Sequence, residues 1–242
     1  MNYNWHWAIL VEQPYLAWLA RGLTVTLALS ASAWAIALPL GTLIAVLRTG
    51  PSKVLRGIGA CYVQIFRNVP LIVQMFLWFF VFPELVPKAF GYFLKRQLPF
   101  PEFSMGLLCL SFYTASRVAE TVRSGLETVG SGPKNAALAS GLSYVETYRY
   151  VLLPMSFRLV VPPLTSEFLA VFKNSSVALA IGVLELTAEA HQIESYTFQG
   201  FEAFTAATLL YALISWTCLG IASLFNRYLS NAGGFGAEIA LR

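Results

Sequence analysis

Hydrophobic residues in this chain gather into long segments, and shorter polar segments separate them. A helix needs about 20 apolar residues to cross the hydrocarbon core of a bilayer, and these segments reach that length. The pattern predicts about five membrane-spanning helices, in the segments 22–47, 54–82, 103–123, 150–172 and 201–224. Because a helix satisfies its own backbone hydrogen bonds in lipid, we expect an all-α polytopic membrane protein.

The composition supports a membrane protein and leaves little material for a metal site. Hydrophobic residues make up 57% of the chain and charged residues 12%, whereas soluble domains carry about 25% charged residues. Every acidic residue is a glutamate, since the sequence contains no aspartate. The cysteines lie singly in apolar segments and are interpreted as small buried hydrophobes. We therefore expect no metal and no cofactor on this chain.

Three regions are expected along the chain: an interfacial, periplasmic segment at 1–21, a membrane domain at 22–228 and a cytoplasmic tail at 229–242. An odd number of spans places the two termini on opposite sides, and basic residues are enriched on the cytoplasmic side. One predicted side carries Arg48, Lys53, Arg56, Arg123, Lys134, Arg149, Arg158, Arg227 and Arg242. The other carries Arg21, Lys88, Lys95, Arg96 and Lys173. This bias predicts an external N-terminus, a cytoplasmic C-terminus and a cytoplasmic segment 132–154.

The segment 132–154 is too polar to cross a membrane. Its alanines favour a helix, Gly141 interrupts that helix, and Ser143 could cap a second helical turn. An elbow of this kind could fit a groove on a soluble partner. An amphipathic connector that lies on the membrane is the alternative from the residues alone.

The spacing within this segment resembles the EAA motif of ABC importer permeases. That motif reads Glu-Ala-Ala, three residues, Gly, nine residues and Ile-x-Leu-Pro. Here Asn135 stands where the motif has Glu, and Val151 stands where it has Ile. The resemblance implies a coupling helix that docks on a separate ATP-binding subunit. The residues that match or adjoin the motif are Asn135, Ala136, Ala137, Gly141, Leu142 and Pro154.

Four other stretches are similar to the polar amino-acid branch of this family: 67–74, 119–125, 162–168 and 173–176. Within that branch, the nearest group is the bacterial glutamate/aspartate permeases. The resemblance implies a type I ABC importer permease in the bacterial inner membrane. Its expected partners are a second permease subunit, identical or paralogous, and two cytoplasmic ATP-binding subunits that carry ATP and Mg²⁺. A periplasmic substrate-binding protein and membrane lipid are also expected, and nucleic acid is not.

Arg67, Arg117, Glu120 and Glu167 are charged residues that fall within the predicted spans. A charge at the bilayer centre costs about 2.5–3.5 kcal/mol on insertion scales, so such residues are usually paired or functional. One interpretation is a structural pair between Arg117 and Glu120, which share a helix face. The other is a substrate pocket lined by Arg67 and Arg117, with Glu120 beside them. Because a guanidinium binds a carboxylate through two parallel hydrogen bonds, this pocket predicts glutamate or aspartate as substrate.

Further polar residues are predicted to line the same pocket. Lys173, Asn174 and Ser175 follow prolines at 162 and 163, which we expect to disturb the fourth span. Broken helices in transporters expose polar groups to substrate, although a polar helix end at the interface is the alternative. Residues 67–70 predict a bend in the second span. Gln74, one turn later, could face the pocket or bond to a neighbouring helix.

No catalytic constellation is evident, so the chain is not expected to be an enzyme. Residues 130–134 lack the end of a phosphate-binding loop. His191 and its neighbours Glu185, Glu189 and Glu194 lack the spacing of a metal site and are interpreted as a solvated helix face. A self-sufficient secondary transporter or channel is the main rival, because charges inside the membrane serve those proteins too. A docking elbow, which a stand-alone carrier does not need, favours the importer permease.

Overall fold

The computed structural model describes residues 3–232, all of whose regular structure is helical, and the side-chain surroundings of residues 3–224. The first long helix, α1, spans Tyr15–Thr49, and a short 3-10 helix at Trp7–Val11 precedes it. At about 1.5 Å per residue, α1 is long enough to cross a bilayer. It begins before the start predicted at Gly22. Its Arg21 is tolerated there because Nε donates to Glu189 Oε1 over 2.6 Å.

The second apolar segment is sharply bent, as its sequence predicts. Helix α2 spans Lys53–Asn68, and α3 spans Leu71–Phe76 and continues through a π-helical turn, Leu77–Val81, into α4 at Phe82–Leu85. The directions of the two halves differ by 106°. The break falls at Val69 and Pro70, where a proline removes a backbone donor.

The central helix of the bundle is α6, Pro101–Val129, which packs against α1, α2, α3 and α9. The short helix α5, Lys88–Tyr92, and a π-helical turn at Phe93–Gln97 lead into it. Because other helices surround α6, its buried face includes the polar residues Ser111, Thr114 and Ser116. Close packing also requires Gly41 on α1, where an added Cβ would lie 2.7 Å from the carbonyl oxygen of Ala115.

Two short helices, α7 at Ser131–Ala139 and α8 at Tyr144–Glu146, follow α6. A π-helical turn, Thr147–Leu152, then leads into α9 at Leu153–Ser175 and a 3-10 turn at Ser176–Ile181. The expectation that Pro162 and Pro163 disturb this span is wrong, because α9 continues through both. Both prolines lie exposed on the outside of the helix. The chain changes from α-helix to 3-10 helix only after Ser175.

Helix α10, Leu186–Thr197, packs against α1 and against α11, Gly200–Ala232. The prediction of a solvated face is wrong for Glu185 and Glu189, whose side chains are fully buried. Glu185 caps α10 by accepting a hydrogen bond from the Ala188 amide, and it also accepts one from Tyr211 Oη over 2.5 Å. Helix α11 continues to Ala232, and the rest of the expected tail lies outside the described residues.

Within the residues that the structure describes, three helical stretches are long and apolar enough to cross a membrane: Tyr15–Thr49, Tyr144–Ile181 and Gly200–Leu224. The bent pair of α2 and α3–α4 makes a fourth if it is counted as one span. The charged helix α6 is long enough to span but is not among these stretches. The all-α membrane fold is therefore confirmed, whereas the number of five spans stays a prediction.

Candidate functional site

The elbow, defined here as residues 131–152, has the helix–glycine–helix form that the sequence predicts. The α7 helix ends with two hydrogen bonds, from the Gly141 amide to the Leu138 carbonyl and from the Leu142 amide to the Ala137 carbonyl. This is the Schellman arrangement, which needs a residue of positive φ after the helix. Gly141 supplies it with φ +87°, and an added Cβ would meet no atom within 4 Å. Glycine is therefore required by backbone conformation rather than by space.

The second half of the elbow is fixed by Ser143 and Glu146. The Ser143 hydroxyl accepts a hydrogen bond from the Glu146 amide, and the Glu146 carboxylate accepts one from the Ser143 amide over 2.8 Å. This capping box confirms the predicted role of Ser143. Glu146 is missing from the predicted elbow residues, although a serine followed by a glutamate three residues later is the sequence pattern of a capping box.

The residues predicted for coupling fall on two sides of the elbow. Asn135, Ala136 and Gly141 are exposed, and Pro154 is exposed at the start of α9. Ala137 is buried and Leu142 is half-buried, because α7 packs back on the π-helical turn before α9. The exposed residues thus present a small, smooth surface, while the buried ones hold the two halves of the elbow together.

Glu120 lies at the junction of α1, α2 and α6, surrounded by arginines. Its Oε2 accepts a hydrogen bond from Arg48 Nη1 over 2.6 Å and lies 3.7 Å from Arg67 Nη1. Its Oε1 accepts a hydrogen bond from Arg123 Nε over 3.1 Å. Arg123 also pairs with Glu127. One carboxylate therefore joins three helices and offsets much of their positive charge.

Arg117 faces the opposite helix, α9. Its Nε donates to Glu167 Oε2 over 2.5 Å and its Nη2 to Glu167 Oε1 over 3.1 Å. The expected pair between Arg117 and Glu120 is therefore wrong. Although the two residues share a helix face, each finds a better partner on another helix, and for Arg117 this is a bidentate one. Arg48, Arg123 and Glu167 complete these pairs. Arg123 follows Glu120 by three positions on one helix, a spacing that the sequence shows, whereas only helix packing brings Arg48 and Glu167 to their partners.

The other predicted pocket residues lie in different surroundings. Gln74 is buried, and its Nε2 donates to the carbonyls of Phe66 over 2.9 Å and Val69 over 2.8 Å, so it supports the bend after α2. Ser175 is buried and donates to the Phe172 carbonyl. Lys173 is exposed and Asn174 is half-buried.

The predicted residues therefore form two groups. One surrounds the break between α2 and α3: Arg67, Gln74 and Glu120. The other lies on α9 and on the face of α6 opposite it: Arg117, Lys173, Asn174 and Ser175. The arginine side chains remain partly open, with 45% exposure at Arg67 and 39% at Arg117.

Comparison with known families identifies this arrangement. The profile of the family described as "Binding-protein-dependent transport system inner membrane component" matches residues 37–232. The chain belongs to this family. The permease is thus a transport subunit of an ABC importer rather than an enzyme, a channel or a self-sufficient carrier.

Relatives agree with this assignment over nearly the whole permease. It is 42% identical over 246 residues to "Glutamate/aspartate import permease protein GltJ" of Escherichia coli (strain K12), with coverage of 98% of this chain and 100% of GltJ. It is 26% identical to "Glutamate/aspartate import permease protein GltK" of E. coli (strain CFT073), covering 88% of this chain and 97% of GltK. A solved structure titled "Crystal structure of an amino acid ABC transporter with histidines" is 26% identical to this chain, with a TM-score of 0.77. The match covers 93% of this chain and 100% of the chain in that structure.

Proposed function

We propose that this permease imports glutamate and aspartate as one of two paired permease subunits in the bacterial inner membrane. The observation that carries the proposal is the full-length identity of 42% to GltJ. The partly exposed guanidinium groups inside the bundle support an acidic substrate, because they attract carboxylates and repel cations.

The second subunit is a paralogue under this proposal. GltJ and GltK of E. coli both match the permease, at 42% and 26% identity. Because the permease is far more similar to GltJ, it takes the GltJ-like position, and a GltK-like chain takes the other. An N-terminus outside and a C-terminus inside place the elbow in the cytoplasm.

ATP and Mg²⁺ belong to two cytoplasmic ATP-binding subunits in this scheme, and a periplasmic binding protein delivers the substrate. The elbow is the surface that an ATP-binding subunit holds, through Asn135, Ala136 and Gly141 with Pro154 at the edge. The shape of the elbow does not depend on a glutamate at position 135, since backbone bonds and the capping box hold it.

The connections of the elbow give it a mechanical effect on the transport path. Only Gly130 separates α6 from α7, and the π-helical turn runs directly into α9. A displacement of the elbow therefore acts on α6 and α9, the helices that Arg117 and Glu167 join. Movement of these helices against each other would open this pair and release Arg117 toward a substrate carboxylate.

The substrate passes both groups of polar residues in this proposal. The Nη1 atom of Arg67 lies 3.7 Å from Glu120 Oε2, beyond hydrogen-bond distance, and Lys173 is exposed. Both cations therefore remain able to attract an anion. Asn174 offers an uncharged hydrogen-bonding group beside them. Gln74, Glu120 and Ser175 shape the path by holding helices and helix ends in place.

The test is uptake into proteoliposomes that contain the permease, its paralogue, the ATP-binding subunits and the binding protein. We expect ATP-dependent uptake of labelled glutamate and aspartate, and competition by neither arginine nor lysine. Uptake of glutamine in preference to glutamate would contradict the acidic substrate. Recovery of a single permease type in the active complex would contradict the paralogous pair.

A further inference from the structure

An open groove of about 790 Å³ lies between the end of α1 and the elbow. Leu38 to Leu47 of α1 form one wall, and Tyr148, Leu153 and Phe157 form part of the other. The groove wall is almost entirely apolar. The Thr42 hydroxyl in the wall donates to the Leu38 carbonyl of its own helix and so offers no donor to a ligand.

The length of the groove matches one leaflet of a bilayer. Leu38 and Leu47 are separated along α1 by about 14 Å at a rise of 1.5 Å per residue. Half of the hydrocarbon core of a membrane is about 15 Å thick. With the elbow at the cytoplasmic surface, as proposed above, the inner end of the groove lies deep in the membrane, where a soluble protein bound at the elbow does not reach. A ligand that fills the groove must be a lipid or another membrane segment.

One end of the groove is polar and positively charged. Arg149 lines the groove at this end, together with Ser52, and Lys53 is adjacent in sequence. No carboxylate of the residues whose side chains are described lies within 4 Å of the Arg149 or Lys53 charge. The Arg149 guanidinium lies 5.6 Å from the Tyr150 ring centre. Basic sites at the cytoplasmic ends of membrane helices attract anionic lipid headgroups.

We propose that this groove binds an anionic phospholipid of the cytoplasmic leaflet. An acyl chain fills the apolar wall along α1, and Arg149 binds the phosphate with help from Ser52 and Lys53. The assignment rests on the proposed cytoplasmic position of the elbow. The bound lipid would join the α1–α2 connection to the π-helical turn and so brace the elbow where it enters α9.

The side chains of the groove favour lipid over a helix of the second permease. Membrane helices that pack together usually meet through glycine, alanine and serine. The α1 wall instead presents Leu38, Leu43, Val46 and Leu47. A helix in this position would also need an acidic residue opposite Arg149, whereas a phospholipid brings its phosphate to that depth.

The test measures phospholipid retained by the assembled complex after extensive detergent washing. The complex is first loaded in nanodiscs that contain equal amounts of phosphatidylglycerol and phosphatidylcholine. We expect selective retention of phosphatidylglycerol in the native complex. Arg149→Gln should reduce it about fivefold, the effect of about 1 kcal/mol per basic residue near a membrane surface. Arg158→Gln, which removes an exposed cation of α9 outside the groove, is the matched control and should leave retention unchanged.

A second variant tests the apolar wall without altering charge. Leu43→Trp fills the groove, so it should displace the retained lipid while Arg149 stays in place. Equal retention of the two phospholipids, or equal losses in the Arg149 and Arg158 variants, would overturn the proposal. So would efficient cross-linking of Leu43→Cys to the second permease, which would make the groove a subunit interface. Glutamate uptake is measured separately, so a failure of the proposed substrate leaves the lipid result interpretable.

Discussion

The elbow and the charged centre of the bundle are stabilised in opposite ways. The elbow is held mainly by hydrogen bonds between residues three to five positions apart, such as Ser143 with Glu146 and Leu142 with Ala137, and Tyr148 adds one bond to Thr49 of α1. The centre is held by charge pairs between different helices, such as Arg117 with Glu167 and Arg48 with Glu120. The elbow can therefore move as a rigid unit, whereas movement of the helices must break or remake the central pairs. The following changes test this division.

The largest effect is expected from Gly141→Asp in the elbow. The change places a side chain and a charge on the exposed surface of a residue with φ +87°. A charge forced unpaired into an interface costs about 2–5 kcal/mol, so docking and uptake should fall at least about tenfold. The measurements are ATP-driven uptake and co-purification of the ATP-binding subunits, with membrane insertion unchanged.

Gly132→Asp provides the matched control for that change. Gly132 is also exposed in α7 with no atom near an added Cβ, but its φ is not in the left-handed region. ATP-driven uptake by the Gly132→Asp variant should stay close to that of the unaltered permease. Normal uptake and normal co-purification in Gly141→Asp would contradict the docking role of the elbow.

Removal of the central carboxylate should destabilise the permease itself. Glu120→Gln leaves Arg48 and Arg67 without their acidic partner, and the Glu120 side chain is only 27% exposed. We expect a loss of about 2 kcal/mol, less than for a fully buried pair. The corresponding fall in the midpoint of thermal unfolding is about 5 °C. Glu127→Gln breaks the pair between Glu127 and Arg123, in which the Glu127 side chain is 56% exposed. This change should lower the unfolding midpoint by about 1 °C or less.

A double-mutant cycle separates structure from substrate binding at Arg117. Arg117→Ala should raise the KM for glutamate about tenfold, since a hydrogen bond to a charged group contributes about 1.5–3 kcal/mol. Assembly of the complex should be retained. Glu167→Gln alone should not raise this KM, because it leaves Arg117 free for the substrate. If the double variant regains a normal KM, the pair serves only to join α6 and α9.

Sequence reasoning succeeded where structure depends on neighbouring residues. The spacing of Asn135, Gly141 and Pro154 and the capping serine predict the elbow, and Pro70 predicts the bend after α2. The identities of charge partners on different helices depend instead on how the helices pack. The sequence places Arg48 only among the basic residues of the cytoplasmic side, and it indicates no partner for Glu167. The sequence predicts a solvated face for Glu185 and Glu189 because no local pattern shows that α10 lies between α1 and α11.

The smallest effect is expected at the one residue of the elbow that departs from the motif. Asn135 is exposed, and its side chain is not needed for the bonds that shape the elbow. Asn135→Glu can therefore add only a surface ion pair with an ATP-binding subunit, a contribution of about 0–1 kcal/mol. The affinity between subunits should change less than about fivefold, and any gain should vanish at high salt because mobile ions screen exposed charges. Titration of the ATP-binding subunit against the permease pair at low and high ionic strength measures this. A tenfold loss that persists at high salt would show that Asn135 makes a specific contact, and docking would then depend on side-chain chemistry as well as on shape.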